Sequence, residues 1–341
     1  MQKAILFDQL PAKKCRCNVC LRRCVIAPDN LGYCKTRKNI DGSLFSMIYG
    51  VVSSEMLDPI EKKPLYHFYP GSSVYSLGSF GCNFRCDFCQ NWEISFQDGE
   101  SLSKNTLETQ LPPEEVIARA KSLKTAGIAW TYNEPAIWLE YTIDCAKLAK
   151  KAGLYTVYVT NGYAAPEALD EIGPYLDAYR VDIKSFDDKF YQELIRVPAL
   201  KPILETTIRA LNKWEMHIEI VTNIIPTKND SVPNLQKIAR WIKENLGPKT
   251  PWHVTRFFPH AKLSHLPMTP LPTLKDAYEI GKSEGLEFVY IGNVGPEFGQ
   301  ETYCPKCGTL AIQRDGYDTK IINVDETGHC KTCRENLKIK M

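Results

Sequence analysis

From about residue 74 to 298 the chain alternates short apolar runs with amphipathic segments. The runs are Val74–Ser79, Gly127–Thr131, Tyr155–Thr160, Ala178–Ile183, His217–Asn223, Trp252–Phe258 and Glu287–Gly292. They are rich in β-branched and aromatic residues and mostly lack polar alternation, the pattern of parallel strands buried on both faces. Pro113, Glu114 and Glu115 open a helix whose Val116, Ile117, Ala120 and Leu123 share one face, with Gly127 beyond its end. Further helices are expected over Ala136–Lys151, Ser231–Leu246 and Thr273–Ser283, followed by Gly153, Gly247 and Gly285. Strands and helices alternating at this spacing predict an α/β fold, a partial or full (β/α) barrel with right-handed crossovers.

In such barrels the chemistry sits at the C-terminal ends of the strands. Polar residues recur there: Cys82, Cys86 and Cys89, Asn133–Glu134, Thr160–Asn161, Asp182–Lys184, Asn223, His260 and Asn293. One shared site is therefore expected. The flanks differ. Residues 1–73 are cysteine-rich, then punctuated by Pro59, Pro64, Pro70 and Gly71, and read as a small irregular module with a metal site. Residues 299–341 read as a zinc-ribbon-like module.

Composition narrows the class. Lys+Arg number 42 against 40 Asp+Glu, a net charge of +2, so the balance carries no nucleic-acid or membrane-surface signature. No apolar run approaches the ~18 residues of a membrane span. MQKAILFDQL does not resemble a secretory signal, so a cytoplasmic location is expected. Disulfides are rare in the cytosol. The 13 cysteines are therefore read as ligands: five over 15–34, three over 82–89 and four over 304–333, with Cys145 a buried thiol within a helix.

The central set, Cys82-x3-Cys86-x2-Cys89, follows a predicted strand. Three thiolates can hold three irons of a [4Fe–4S] cluster, and with no fourth cysteine nearby one iron stays open. Zinc knuckles pair two C-x2-C units and ferredoxin loops use x2, x2, x3 spacing, so neither fits.

This spacing resembles the signature of the radical S-adenosylmethionine (SAM) superfamily. Other segments resemble it too. Phe88 precedes the third cysteine, where the superfamily's backbone meets adenine. Thr131–Pro135 is similar to the Gly-Gly-Glu-Pro motif, which would give Asn133 and Glu134 cofactor contacts and Glu134 the methionyl ammonium. Val159–Gly162 places Thr160 and Asn161 at the third strand end. Asp182-Ile183-Lys184 is similar to the Asp-x-Lys of pyruvate formate-lyase activating enzymes, so Lys184 would bind the methionyl carboxylate. Phe258-Pro259-His260 resembles a segment that would make His260 a ribose contact. Val159 stands where activases often have Asp, so no monovalent cation is expected. The resemblance implies reductive cleavage of SAM at the cluster to a 5′-deoxyadenosyl radical, which abstracts hydrogen from an unidentified substrate. It also implies a low-potential flavodoxin or ferredoxin as donor.

A closer resemblance covers almost the whole chain. Cys17-x2-Cys20-x3-Cys24 with Gly32-Tyr33-Cys34, Asp58–Leu65 and Gln90–Ser95 are similar to the AmmeMemoRadiSam-system radical SAM enzymes. That likeness implies Memo-family and AMMECR-type partners. Trp92 and His67 are secondary candidates for substrate contact, though each is more often a packing residue.

Cys304-x2-Cys307 and Cys330-x2-Cys333, 22 residues apart with a β-like stretch at Lys320–Val324, read as a zinc ribbon. Cys17, Cys20, Cys24 and Cys34 permit zinc or an auxiliary [4Fe–4S] cluster; spacing barely discriminates, and zinc is preferred. Cys15 is a spare or alternative ligand. Three alternatives stay open: a glycyl radical enzyme activase, an RNA-modifying enzyme using the basic run Lys306, Arg314, Lys320, Lys331, Arg334, Lys338 and Lys340, and a non-catalytic zinc adaptor on a degenerate barrel.

Overall fold

The computed structural model describes residues 1–97, 110–295 and 299–341. The boundary expected after residue 298 falls at 296–298, outside the described residues. An eight-stranded sheet organises the chain. Its seven parallel strands are β8 (Ser73–Gly78), β9 (Gly127–Trp130), β10 (Tyr155–Thr160), β11 (Ala178–Asp182), β12 (His217–Ile224), β13 (Trp252–Arg256) and β14 (Val289–Gly292). They pair in chain order, each neighbour parallel. The sheet stays open: among the described residues β14 forms one edge, so the architecture is a partial barrel.

The other edge is β7 (Ser54–Pro59), antiparallel to β8. Sequence patterning placed no strand there. Ser-Glu-Met-Leu-Asp-Pro is largely exposed on a sheet edge, so it carries no apolar run to reveal it. Pro113–Ser122, Val232–Asn245 and Leu271–Ser283 form the expected helices. The helix expected from Ala136 starts as a 3₁₀ turn, Pro135–Trp138, then runs as α-helix over Leu139–Lys151. Pro135 at its first position suits that tight start.

Six short strands precede the sheet: β1 (Gln2–Lys3), β2 (Phe7–Leu10), β3 (Lys14–Cys17), β4 (Val25–Ile26), β5 (Arg37–Ile40) and β6 (Ser43–Ser46). They form two antiparallel sheets, β1-β6-β5 and β2-β3-β4. This region shares its core with the barrel: Ala4, Leu44 and Ile48 pack in one cluster with Ile128, Trp138 and Val181. Arg37 fastens it. Its guanidinium meets buried Glu140 through two bonds of 2.9 and 2.8 Å and also reaches Ile137 O at 3.0 Å.

The C-terminal strands β15 (Thr302–Tyr303), β16 (Leu310–Asp315) and β17 (Asp318–Ile321) form an antiparallel sheet, more strand than the single stretch expected. A separate cluster packs Ala311, Ile312, Val324 and Leu337 on Tyr66, Phe288 and Tyr290. Arg314 belongs to this junction and not to a basic surface. It is 5% exposed and donates to Gln300 O, Thr302 Oγ1 and Tyr66 O. No helix among the described residues is long and apolar enough to cross a membrane.

Candidate active site

The loop after β8 carries Cys82, Cys86 and Cys89 and ends in the short helix Trp92–Ser95. Gly81 enters it at φ +77°, where a Cβ would lie 2.5 Å from Cys34 O, so only glycine fits. Arg85 clamps the loop from within, donating to Cys82 O at 2.6 Å, Phe84 O at 2.8 Å and Tyr33 O at 3.0 Å. From outside, Asp87 N donates to Leu194 O at 2.8 Å. Phe84 N donates to Cys82 Sγ at 3.3 Å. Burial raises the Cys86 thiol to about 12, with Lys184 pulling it down. A thiolate there needs iron or a cation beside it.

These cysteines border a cavity of about 480 Å³ at the C-terminal ends of the strands. Phe88, Asn133, Thr160, Asn161, Asp182 and Lys184 line it too, as do Asn223, Thr255 and Asn293 from the later strands. Lys184 Nζ lies 2.8 Å from Asp182 Oδ2, and Asp182 also pairs with Arg180. Burial works against both charges. The neighbouring cations still hold the Asp182 carboxyl low, and Asp182 and Cys86 hold the Lys184 ammonium high. One carboxylate and one ammonium therefore stand side by side at the cavity wall. Lys184 Nζ is 5.7 Å from the Phe88 ring centre.

Glu134 and His260 stand outside the residues that line the cavity. Glu134 is 1% exposed and its carboxylate is held by three donors. It accepts from Ala136 N at 2.9 Å, Thr160 Oγ1 at 2.7 Å and Asn161 N at 2.8 Å. Burial lifts it to about 7 against those three bonds. It is a brace between the ends of β9 and β10, and it lies outside the cavity lining. Through Asn161, whose Nδ2 donates to Asn83 Oδ1 at 2.8 Å, the brace reaches the cysteine loop. Asn133 ties the same loop, accepting from Ser79 N at 3.2 Å and donating to Gly81 O at 2.9 Å. His260 precedes the turn Ala261–Leu263 and is likewise outside the lining.

His67 is fully buried, bonded through its ring to Leu337 O at 3.0 Å and Tyr290 OH at 2.7 Å, so it packs rather than binds. Trp92 is 43% exposed and does not line the cavity.

The cavity also holds residues that patterning did not single out. Lys62, Lys63 and Tyr132 line one wall around Asp58. Asp58 accepts from Lys62 Nζ at 2.8 Å, Lys63 Nζ at 2.5 Å and Tyr132 OH at 2.9 Å. Burial brings Lys63 down to about 8, with Asp58 pulling it back up. The run Asp58–Leu65 was visible as a family-like string; nothing local showed that it faces the cysteines. Tyr317, at the β16–β17 turn, completes the lining from the C-terminal module.

Away from the cavity, Cys304, Cys307, Cys330 and Cys333 bring their sulfurs within 4.8 Å of one another, a group able to hold a metal ion. It is the one such His/Cys/Asp/Glu group among the described residues. Cys82, Cys86 and Cys89 do not form such a group.

Comparison with known proteins agrees with this site. Residues 77–242 match the model of the Radical SAM superfamily. An uncharacterized protein of Methanocaldococcus jannaschii is 40% identical over 340 residues, covering 99% of each chain. The pyruvate formate-lyase-activating enzyme of Clostridium pasteurianum is 27% identical over 169 residues, 48% of this chain and 66% of that one. Among solved structures, Streptococcus suis SuiB bound to precursor peptide SuiA shares the fold. Its TM-score is 0.50 at 15% identity, over 69% of this chain and 51% of that one. The chain belongs to the radical SAM superfamily, a superfamily of enzymes. Its substrate is a separate question.

Proposed function

We propose that this chain cleaves SAM reductively and uses the resulting radical to abstract hydrogen from a substrate in the 480 Å³ cavity. The reading rests above all on one juxtaposition. Three spread cysteines and the Asp182–Lys184 pair line the same cavity. Cys82, Cys86 and Cys89 would hold a [4Fe–4S] cluster, which would supply the electron for reductive cleavage of SAM.

The chain's own residues orient and enclose. Lys184 meets the methionyl carboxylate and Asp182 the ammonium, a pairing of opposite charges in a partly desolvated wall. Phe88 offers its backbone to adenine, and Thr160, Asn161 and Asn133 complete the cofactor wall. Glu134 acts through Thr160 and Asn161 as a positioning residue. The catalytic barrel proposed over residues 74–298 takes its edge strand β7 from within the N-terminal segment 1–73, and 299–341 form a C-terminal module. The C-terminal cysteines take zinc, whose tetrahedral thiolate sites place sulfurs about 3.8 Å apart; here Cys304–Cys333 and Cys307–Cys330 are 3.5 and 3.7 Å. A low-potential flavodoxin or ferredoxin delivers the electron.

A second reading, activation of a glycyl radical enzyme, is favoured by the Clostridium pasteurianum likeness. Dithionite-reduced protein, reconstituted anaerobically and given SAM, tests the first. The expected product is 5′-deoxyadenosine, lost in Cys82→Ala, Cys86→Ala and Cys89→Ala. An intact reduced cluster with neither product nor a spectral response to SAM would sink it.

A further inference from the structure

We infer that Cys17, Cys20, Cys24 and Cys34 hold a second iron–sulfur cluster and not the zinc that their spacing suggested. The molecule contains its own ruler for this. Four thiolates around one tetrahedral ion stand about 3.8 Å apart. The C-terminal cysteines meet that measure. No three of the N-terminal cysteines bring their sulfurs within 4.8 Å of one another, and neither do Cys82, Cys86 and Cys89. A cubane puts each thiolate on a separate iron and so spreads the sulfurs. By this measure the N-terminal set sorts with the central cluster site.

The four cysteines nevertheless converge. All are free, and all line one small space enclosed mainly by apolar side chains such as Val19, Ile26 and Ile137. Cys15, on β3 beside Cys17, does not line it and is no ligand here. One donor points at a sulfur: Thr36 Oγ1 lies 3.2 Å from Cys34 Sγ. Such O–H donors tune bound clusters.

The second observation is Arg37. Its two terminal nitrogens are committed to Glu140 and Ile137 O. Its Nε is buried, has no partner, and belongs to a residue that lines this same space. A buried N–H without an acceptor requires an explanation. Bridging sulfides or thiolates of a cluster, with net negative charge, provide the acceptor.

The place is also telling. The Cys34 carbonyl packs against Gly81, the residue before Cys82, and Arg22 Nε donates to Asn83 O. A cluster here would be a redox centre one backbone contact away from the central loop.

Metal analysis of the anaerobically reconstituted full chain tests the inference. The expected content is about eight irons and one zinc per chain. The triple variant Cys82→Ala/Cys86→Ala/Cys89→Ala should keep about four irons and a cluster signal on reduction that SAM does not shift. Near-zero iron and two zincs in that variant would overturn it, as would iron without acid-labile sulfide. The Cys17→Ser/Cys20→Ser variant should lose half the iron of the wild type. The triple variant decides the matter if this one does not fold. Absence of SAM cleavage in a protein with eight irons would defeat the proposed function and leave this inference standing.

Discussion

The two flanking cysteine sets use similar local spacing and end in opposite settings. The C-terminal set closes a small antiparallel sheet with its own core, and Cys307 is exposed. A metal ion held there would staple residues that bury little apolar surface by themselves. The N-terminal set lies inside the main core, among residues that pack against the barrel. Its cysteines line one space together with Arg37, which is fixed by the Glu140 pair. The number of cysteines and a C-x2-C unit are common to both. What separates them is the setting, the main core on one side and a small sheet with its own cluster on the other.

The strongest way to break this comparison is to remove one ligand on each side. Cys34→Ser should cost about half the iron and at least tenfold in 5′-deoxyadenosine yield, because Cys34 lies against Gly81. Cys330→Ser should release zinc and leave the iron count untouched. If Cys330→Ser strips iron, or Cys34→Ser releases zinc, the two regions are not independent.

The next effect concerns how each region is fastened. Arg37→Met strands the buried Glu140 carboxylate and should destabilise by about 3–5 kcal/mol in denaturant titration. Restoring balance with Arg37→Met/Glu140→Leu should recover most of that. Equal loss in single and double variants would mean that the pair matters for packing alone.

The C-terminal module has its own fastening in His67, which reaches Leu337 O. Burial lowers its pKa from 6.5 to about 3, so the folded state keeps it neutral. Stability from this group is full above pH 6.5 and is lost as pH falls toward 3, because the unfolded chain binds the proton first. His253, also lowered by burial, acts in the same direction. Removing the group with His67→Gln should flatten the pH dependence of unfolding by about 1.4 kcal/mol per pH unit in that window. An unchanged slope would sink the assignment.

The smallest effect should come from Tyr317, 51% exposed at the cavity rim. Tyr317→Ala should change stability by less than about 0.5 kcal/mol. Once the substrate is found, it should raise KM a few-fold with kcat retained. A fall in kcat alone would place Tyr317 at the chemistry and not at the entrance.

Much of the site was legible because its parts are local. The cysteine loop sits nine residues long after a strand, and Asp182 and Lys184 share one strand end. Parallel strands announce themselves as apolar runs, and their polar ends then mark one rim. Glu134 was legible as a motif position and not as a role. A motif does not say which way a carboxylate turns, and here three nearby donors turn it inward. The Asp58–Lys63 wall and Tyr317 had no local signal for the cavity, since contacts across 70 or 250 residues leave no periodicity.

The sequence by itself determined the alternation of strands and helices and the spacing of the central cysteines. Each follows from side chains a few residues apart. Tertiary structure alone decided that β7 closes one edge, that Glu134 braces the ends of β9 and β10, and that Arg37 reaches Glu140 across the core. These contacts are set by how separate elements pack, which linear spacing does not encode.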